Sequence, residues 1–204
     1  MEIGELVRRL GRVTHALQFS AGLNPAQWEA LRFLARANRY SCTPSALAAY
    51  LGTTKGTVSQ TLIALESKGC VSRTRGGADR RSVRLALTER GRDLLRKDPL
   101  TLLQTAGSAL PAAEGDAMRN GLNRFVGILT RTLNRCEFGI CEDCRHLHLA
   151  GVEGGINIPF RCGLTNDPLN EPELEQICVN FQTAHCLPRF GLPAPDCRPE
   201  GDLA

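Results

Sequence analysis

Seven of the nine cysteines fall between Cys136 and Cys197, in the last third of a 204-residue chain. The tightest run is Cys136-x4-Cys141-x2-Cys144, followed by Cys162 and Cys178. Glycine and proline surround them (Gly151, Gly154, Gly155, Gly163, Pro168, Pro172), with too few large apolar residues to fold unaided. Such a segment favours a metal staple. The N-terminal Met-Glu-Ile-Gly-Glu-Leu lacks the basic-then-apolar order of a secretory signal. No run approaches the roughly 20 apolar residues of a membrane span. A cytoplasmic chain is therefore expected, and in that reducing compartment clustered thiols point to metal or redox chemistry before structural disulfides.

The net charge of +4 hides a division. Residues 136–204 hold four arginines, no lysine and eleven acids, a formal charge of −7, which leaves +11 on residues 1–135. A basic module suits a polyanion, because neutralising phosphates releases counterions. Two units are expected: a basic one over residues 1–135 and a cysteine-rich extension over 136–204.

Along the basic unit, Ile3, Leu6, Val7, Leu10, Val13 and Leu17 recur at helical spacing and predict a first helix over residues 2–19, with Gly22 as its stop. Asn24-Pro25 opens a second helix to about Ala37, with Trp28 in its core face. Thr43-Pro44 starts a third helix to Leu51. A turn at Gly52-Thr53-Thr54 leads into a fourth, Lys55 to Lys68, which Gly69 ends. Strands are predicted at Cys70–Thr74 and Ser82–Leu87, joined by a basic loop, Arg75-Gly76-Gly77-Ala78-Asp79-Arg80-Arg81. Thr88-Glu89 opens a further helix, and Pro111 begins a last long one to about Arg135 with Met118, Leu122, Phe125, Leu129 and Leu133 on one face. Beyond it periodicity fades.

Two short helices joined by a turn and followed by a basic two-stranded wing make a winged helix-turn-helix. The second helix of such a pair can enter the major groove with its N-terminal side chains on base edges. Here these are Thr54, Lys55, Thr57, Ser59 and Gln60, with Val58, Leu62 and Leu65 turned inward. Lys55 suits a phosphate. Arg75, Arg80 and Arg81 at the wing suit a narrow minor groove or its flanking phosphates.

Residues 1–135 resemble the MarR family of transcription factors. Leu23-Asn24-Pro25-Ala26-Gln27-Trp28-Glu29-Ala30-Leu31 is similar to the family's second-helix entry, and Thr57-Val58-Ser59 through Leu65-Glu66-Ser67-Lys68-Gly69 to its recognition helix. Asp79-Arg80-Arg81-Ser82-Val83-Arg84-Leu85-Ala86-Leu87-Thr88-Glu89-Arg90-Gly91 matches the wing signature, an Asp-x-Arg, a strand and Leu-Thr-x-x-Gly. The resemblance implies a homodimer on a palindromic double-stranded DNA operator, paired through the first and last helices. It also implies Arg81 in the minor groove and Asp79 orienting basic side chains. Relatives that sense peroxide use a cysteine in the first helix, and this chain has none there. Cys42 and Cys70 are expected to be buried and inert.

For the extension, Cys141-x2-Cys144 is a chelating pair, and Cys162 and Cys178 complete a set of four. The long, nearly even spacing resembles that of high-potential iron–sulfur proteins, which implies a [4Fe-4S] cluster on Cys141, Cys144, Cys162 and Cys178. Two other metal centres stay open. Cys136-x4-Cys141-x2-Cys144 with one distant cysteine follows the plant-type ferredoxin order of a [2Fe-2S] centre. Zinc needs only two pairs, for which His146, His148 or His185 can substitute. Metal-free thiol or disulfide chemistry is a further alternative. Cys136, Cys186 and Cys197 have no assigned role.

The expected fold is mainly α with a small β-wing, plus a helical dimerisation region and a loop-rich, metal-stapled extension. The expected function is transcriptional regulation governed by redox, oxygen, nitric oxide or iron status. The alternatives are a regulator answering a small organic ligand with zinc as a structural element, and an electron carrier tethered to DNA. No nucleophile–base pair, phosphate loop or nucleotide fingerprint is present in the sequence, so no enzymatic activity is expected.

Overall fold

The computed structural model describes residues 2–75, 83–133, 138–149, 152–153, 156–157 and 159–182. Helix α1 (Ile3–Leu17) has no buried residue. It ends two residues before the predicted end at residue 19, and Ala21 and Gly22, at φ 53° and 71°, turn the chain toward Asn24. The Asn24 side chain accepts from the Gln27 N–H while the Gln27 side chain accepts from that of Asn24, a reciprocal cap that with Pro25 opens α2 (Pro25–Arg36). Thr43 caps α3 (Pro44–Leu51), Gly52 at φ 60° ends it, and Thr54 caps α4 (Lys55–Ser67).

Strands β1 (Val71–Arg75) and β2 (Val83–Leu87) pair antiparallel, Val71 opposite Leu87 and Arg75 opposite Val83. Thr88 caps α5 (Glu89–Leu95). A Cβ at Gly91 would run into the carbonyl oxygen of Cys70, which is why this turn of the helix needs glycine. Helices α6 (Thr101–Ser108) and α7 (Ala112–Thr132) follow. The sequence predicts no helix at α6. Trp28, Leu31, Phe33, Leu47, Leu62 and Leu65 are wholly enclosed between α2, α3 and α4.

The extension is not only loops. It contains β3 (Gly139–Ile140), a 3-10 turn over Cys141–Asp143, β4 (Leu147–Leu149), β5 (Val152–Glu153), β6 (Ile156–Asn157), β7 (Phe160–Cys162), β8 (Pro168–Leu169), α8 (Glu171–Leu174) and β9 (Ile177–Cys178). β3 pairs with β9, β4 with β7 and β7 with β8, and β5 with β6, all antiparallel. Two- and three-residue strands are too short to show alternation in sequence, so their register comes from their partners.

Strand β9 is also where the extension joins the winged module. Ile177 and Val179 lie in the same core as Trp28 and Phe33. Phe138 packs edge-on against Phe33 and Tyr50, at centroid distances of 6.5 and 5.2 Å. A second, small core is built largely from the thiols themselves: Cys141 and Cys178 with Leu169, bordered by Cys162, Phe160 and Phe181. Among the described residues no helix is long and apolar enough to cross a membrane.

Candidate functional site

Thr54, Lys55, Thr57 and Gln60 are exposed on the first turns of α4, and Ser59 is half-buried at its flank. Val58, Leu62 and Leu65 are buried, as their spacing predicts. The Thr54 hydroxyl accepts from the Thr57 N–H (3.2 Å) and bonds the Thr57 hydroxyl (3.0 Å), so part of its capacity is spent on the cap. Arg75 closes β1. Arg80, Arg81 and Asp79 lie outside the described residues, as do Cys136, Cys186, Cys197 and His185.

The four cysteines expected as ligands border one pocket. Cys141, Cys144, Cys162 and Cys178 line one small pocket of about 20 Å³ together with His146 and Tyr40. Local geometry explains the convergence. Cys141 starts the 3-10 turn, and the Cys144 N–H donates to its carbonyl at 3.0 Å, which folds the two-residue spacing back on itself. Cys162 ends β7 opposite Leu147, and Cys178 ends β9 opposite Gly139. Among the described residues no three His, Cys, Asp or Glu side chains group tightly enough to hold a single metal ion.

The thiols are electrostatically linked. The Cys141 thiol donates to Cys178 and holds the Cys178 pKa below its ordinary value; the Asn38 side chain and the Asn180 N–H act in the same sense, against burial. Cys141 is correspondingly pushed up, by that bond, by its burial and by the charges of Cys178, Cys144 and Cys162. At the pocket Nε2 of His146 is buried without a hydrogen-bond partner. Four thiols and an unpartnered imidazole nitrogen around one pocket are donor types suited to a soft metal.

Five consecutive residues ahead of α3 fasten the extension. Ala37 bridges to Ile177, and the Asn38 N–H donates to the Ile177 carbonyl at 2.9 Å. Arg39 reaches the Pro168 carbonyl (2.8 Å) and the Glu173 carboxylate (2.8 Å). The Tyr40 hydroxyl donates to Asp167 and lies 3.1 Å from the Thr165 hydroxyl. The Ser41 hydroxyl accepts from the Val179 N–H at 2.8 Å. The same segment holds the wing: the Leu85 N–H of β2 donates to the Cys42 carbonyl (2.9 Å) and Arg84 donates to the Arg39 carbonyl. Sequence reasoning missed this joint. A loop asparagine before Thr-Pro reads only as a turn residue. Cys42 and Cys70 are half-buried and buried, respectively, and burial raises the Cys42 pKa.

Away from the pocket, apolar side chains stand exposed along α1 (Ile3, Leu6, Leu10, Val13) and α7 (Met118, Val126, Leu129). Arg32 ties the helices between them together. Its guanidinium donates twice to Asp98, at 2.6 Å each, and also to Gln18 (2.6 Å) and Glu29 (2.7 Å).

Residues 21–82 match the model of the MarR family. In overall fold the chain is similar to the crystal structure of an S. aureus MepR–DNA complex, at 23% identity and TM-score 0.54 over 63% of this chain and 99% of that one. It is similar also to Streptococcus pneumoniae FabT in complex with DNA, at 25% identity and TM-score 0.52 over 62% of this chain and 94% of that one. No curated protein matches the chain in sequence. The fold is thus the MarR-type winged helix. Those two structures are matched over nearly their full length, so the remainder of this chain has no counterpart in them.

Proposed function

We propose that this chain is a MarR-type DNA-binding transcriptional regulator whose cysteine pocket holds an iron–sulfur cluster, most simply [4Fe-4S], and reports redox, oxygen, nitric oxide or iron status. The observation that carries the reading is the convergence of Cys141, Cys144, Cys162 and Cys178 on one pocket built against the segment that leads into the helix-turn-helix. Two similar structures, MepR and FabT, are complexes with DNA. On that likeness Thr54, Lys55, Thr57, Ser59 and Gln60 face bases and phosphates, and the wing arginines Arg75, Arg80 and Arg81 the flanking groove. The exposed apolar faces of α1 and α7 serve as the homodimer contact, since helices with no buried side chain need a partner.

A cluster would supply a change of charge or its own loss as the signal. The chain's part is mechanical. Residues 37–41 grip the extension on one side, while Thr43 caps α3 and the Cys42 carbonyl holds the wing on the other. A shift of β9 therefore reaches both DNA-contacting elements of each subunit, and half-site spacing makes a dimer sensitive to small shifts.

The test is anaerobic purification with analysis for iron, sulfide and zinc, then operator selection and binding by the wild type and Cys141→Ser or Cys144→Ser. Iron with sulfide is expected in the wild type only, and a change of about tenfold or more in affinity, on the order of 1.4 kcal/mol, in the variants. Equal affinity and equal redox response in all three chains would refute the sensor. A second reading rests on the partnerless Nε2 of His146 at the pocket: zinc as a structural element, with an organic ligand elsewhere as the signal. Roughly one zinc per chain and no redox effect on DNA binding select it.

A further inference from the structure

Tyr40 serves two parts of the molecule at once. Its side chain lines the cysteine pocket beside Cys162 and Leu164. Its backbone N–H donates to Oδ1 of Asn38 (3.1 Å), in the segment that leads into α3. The phenolic proton goes to the Asp167 carboxylate, so the Thr165 hydroxyl donates to the phenolic oxygen (3.1 Å). A bond to a carboxylate is charge-assisted and about twice as strong as a neutral one. Both partners stand on the turn that closes on Cys162. The Cys162 N–H donates to the Asp167 carbonyl (2.9 Å), the Asn166 N–H donates back to the Cys162 carbonyl (2.8 Å), and Asn166 takes φ 60° within that turn. One hydroxyl of the winged module thus holds two side chains of a turn that carries a pocket thiol.

The thiols reach the winged module by different means. Cys178 lies on β9, which is bonded along its main chain to Ala37, Asn38 and Ser41 and is buried through Ile177 and Val179. Cys162 lies on β7, whose strand partners are β4 and β8, and its turn meets the winged module at Tyr40. A cavity of about 20 Å³ has room for about one water. A cluster of several atoms therefore enters only if the thiols move apart. Strand β9 moves only with the shared core, whereas the Cys162 turn can move against that core by pulling on one phenol. We infer that the Tyr40 hydroxyl is the contact that reports the position of Cys162 to the helix-turn-helix. Loading of the pocket displaces the Cys162 turn, the turn draws on Tyr40, and Tyr40 shifts residues 38–43, which hold the wing at the Cys42 carbonyl and cap α3 at Thr43. Tyr40 is a positioning residue on this account and binds neither metal nor DNA. The inference rests on the cysteine pocket holding an iron–sulfur cluster, as proposed above.

Tyr40→Phe keeps the ring against the pocket and removes only the hydroxyl. Asp167→Ala cuts the same bond from the other side and leaves the Asp167 backbone in place, and the double variant shows whether the two act through one contact. Arg39→Met is the control. It removes the bonds to the Pro168 carbonyl and the Glu173 carboxylate, which hold β8 and α8, where no cysteine lies. Iron and sulfide are measured first on every full-length chain, then operator affinity of the loaded and the metal-free forms. In the wild type the two affinities are expected to differ by about tenfold or more, inside the usual range of coupling between sites. Tyr40→Phe should load iron as the wild type does and bring that ratio to within about twofold of one. Asp167→Ala should move it in the same direction, and the double variant no further than Tyr40→Phe. A merely structural tyrosine would weaken both forms alike and leave the ratio where it was. That result, or an equal loss of the ratio in Arg39→Met, overturns the role of Tyr40 and leaves the cluster reading standing. If Tyr40→Phe takes up no iron, Asp167→Ala decides by the same criterion. A wild type with iron but equal affinities overturns the sensor, one without iron and sulfide overturns the cluster itself, and this inference falls with either.

Discussion

Gly139 sits opposite Cys178 in the β3–β9 pair. A Cβ there would fall 2.6 Å from the Phe181 ring, well inside contact distance. The ring borders the small core formed by Cys141, Leu169 and Cys178, so moving it disturbs the packing around the sulfurs. Gly139→Ala is expected to cost about 2 kcal/mol, the usual scale of overpacking, and, on the cluster reading proposed above, to lower iron content. Phe181→Leu in the same chain should recover most of both losses. Thermal unfolding and elemental analysis of the single and double variants check this, and a double variant no better than Gly139→Ala would show that the ring is not the obstacle.

Among the helices, those with a side-chain cap and a buried face were legible in sequence: Asn24-Pro25, Thr43-Pro44, Thr54 and Thr88 each open the helix their residue types predict. Helix α6 was not, because Thr101–Ser108 has no side-chain cap and only Leu102 and Leu103 as large apolar residues, too few for the periodic face that made the equally uncapped α1 legible. That Cys141, Cys144, Cys162 and Cys178 line one pocket agrees with their grouping by spacing, but the strands that bring Cys178 to Cys141 depend on partners far away along the chain. The Arg32–Asp98 pair is another such long-range feature, joining α2 to the turn after α5. Burial alone would raise the Asp98 pKa. The bonds from Arg32 and the Leu100 N–H, with the Arg32 charge, outweigh it and hold the carboxyl below its ordinary value. A lowered folded pKa means that the stabilisation is full above the unfolded value, about 3.9, and is lost as pH falls through the folded one. Asp98→Asn is therefore expected to lose about 2 kcal/mol at neutral pH and progressively less as pH falls below about 4. Urea titrations of both chains from neutral to acid pH measure this, and a constant difference across that range would contradict the linkage.

The proposed route from the extension to DNA requires the two parts to fold as one, and the core says that they do: Ile177 and Val179 of the extension are buried beside Trp28 and Phe33 of the winged module. Trp28 is the only tryptophan, is wholly buried, and so reports the winged core by fluorescence. Ile177→Ala removes apolar volume from that shared core, at a cost of about 3 kcal/mol. If the core is shared, the Trp28 transition in urea moves to lower denaturant by that amount, although the substitution lies in the cysteine-rich segment. A second probe, alkylation of the pocket thiols, should then follow the same curve, as a single cooperative unit requires. Leu174→Ala, which touches only the small cysteine core, separates local from shared damage. It should expose the thiols while shifting Trp28 less than Ile177→Ala does. A Trp28 midpoint unmoved by Ile177→Ala would mean that the extension merely rests on the winged module, and a centre held there would have no purchase on the helices that meet DNA.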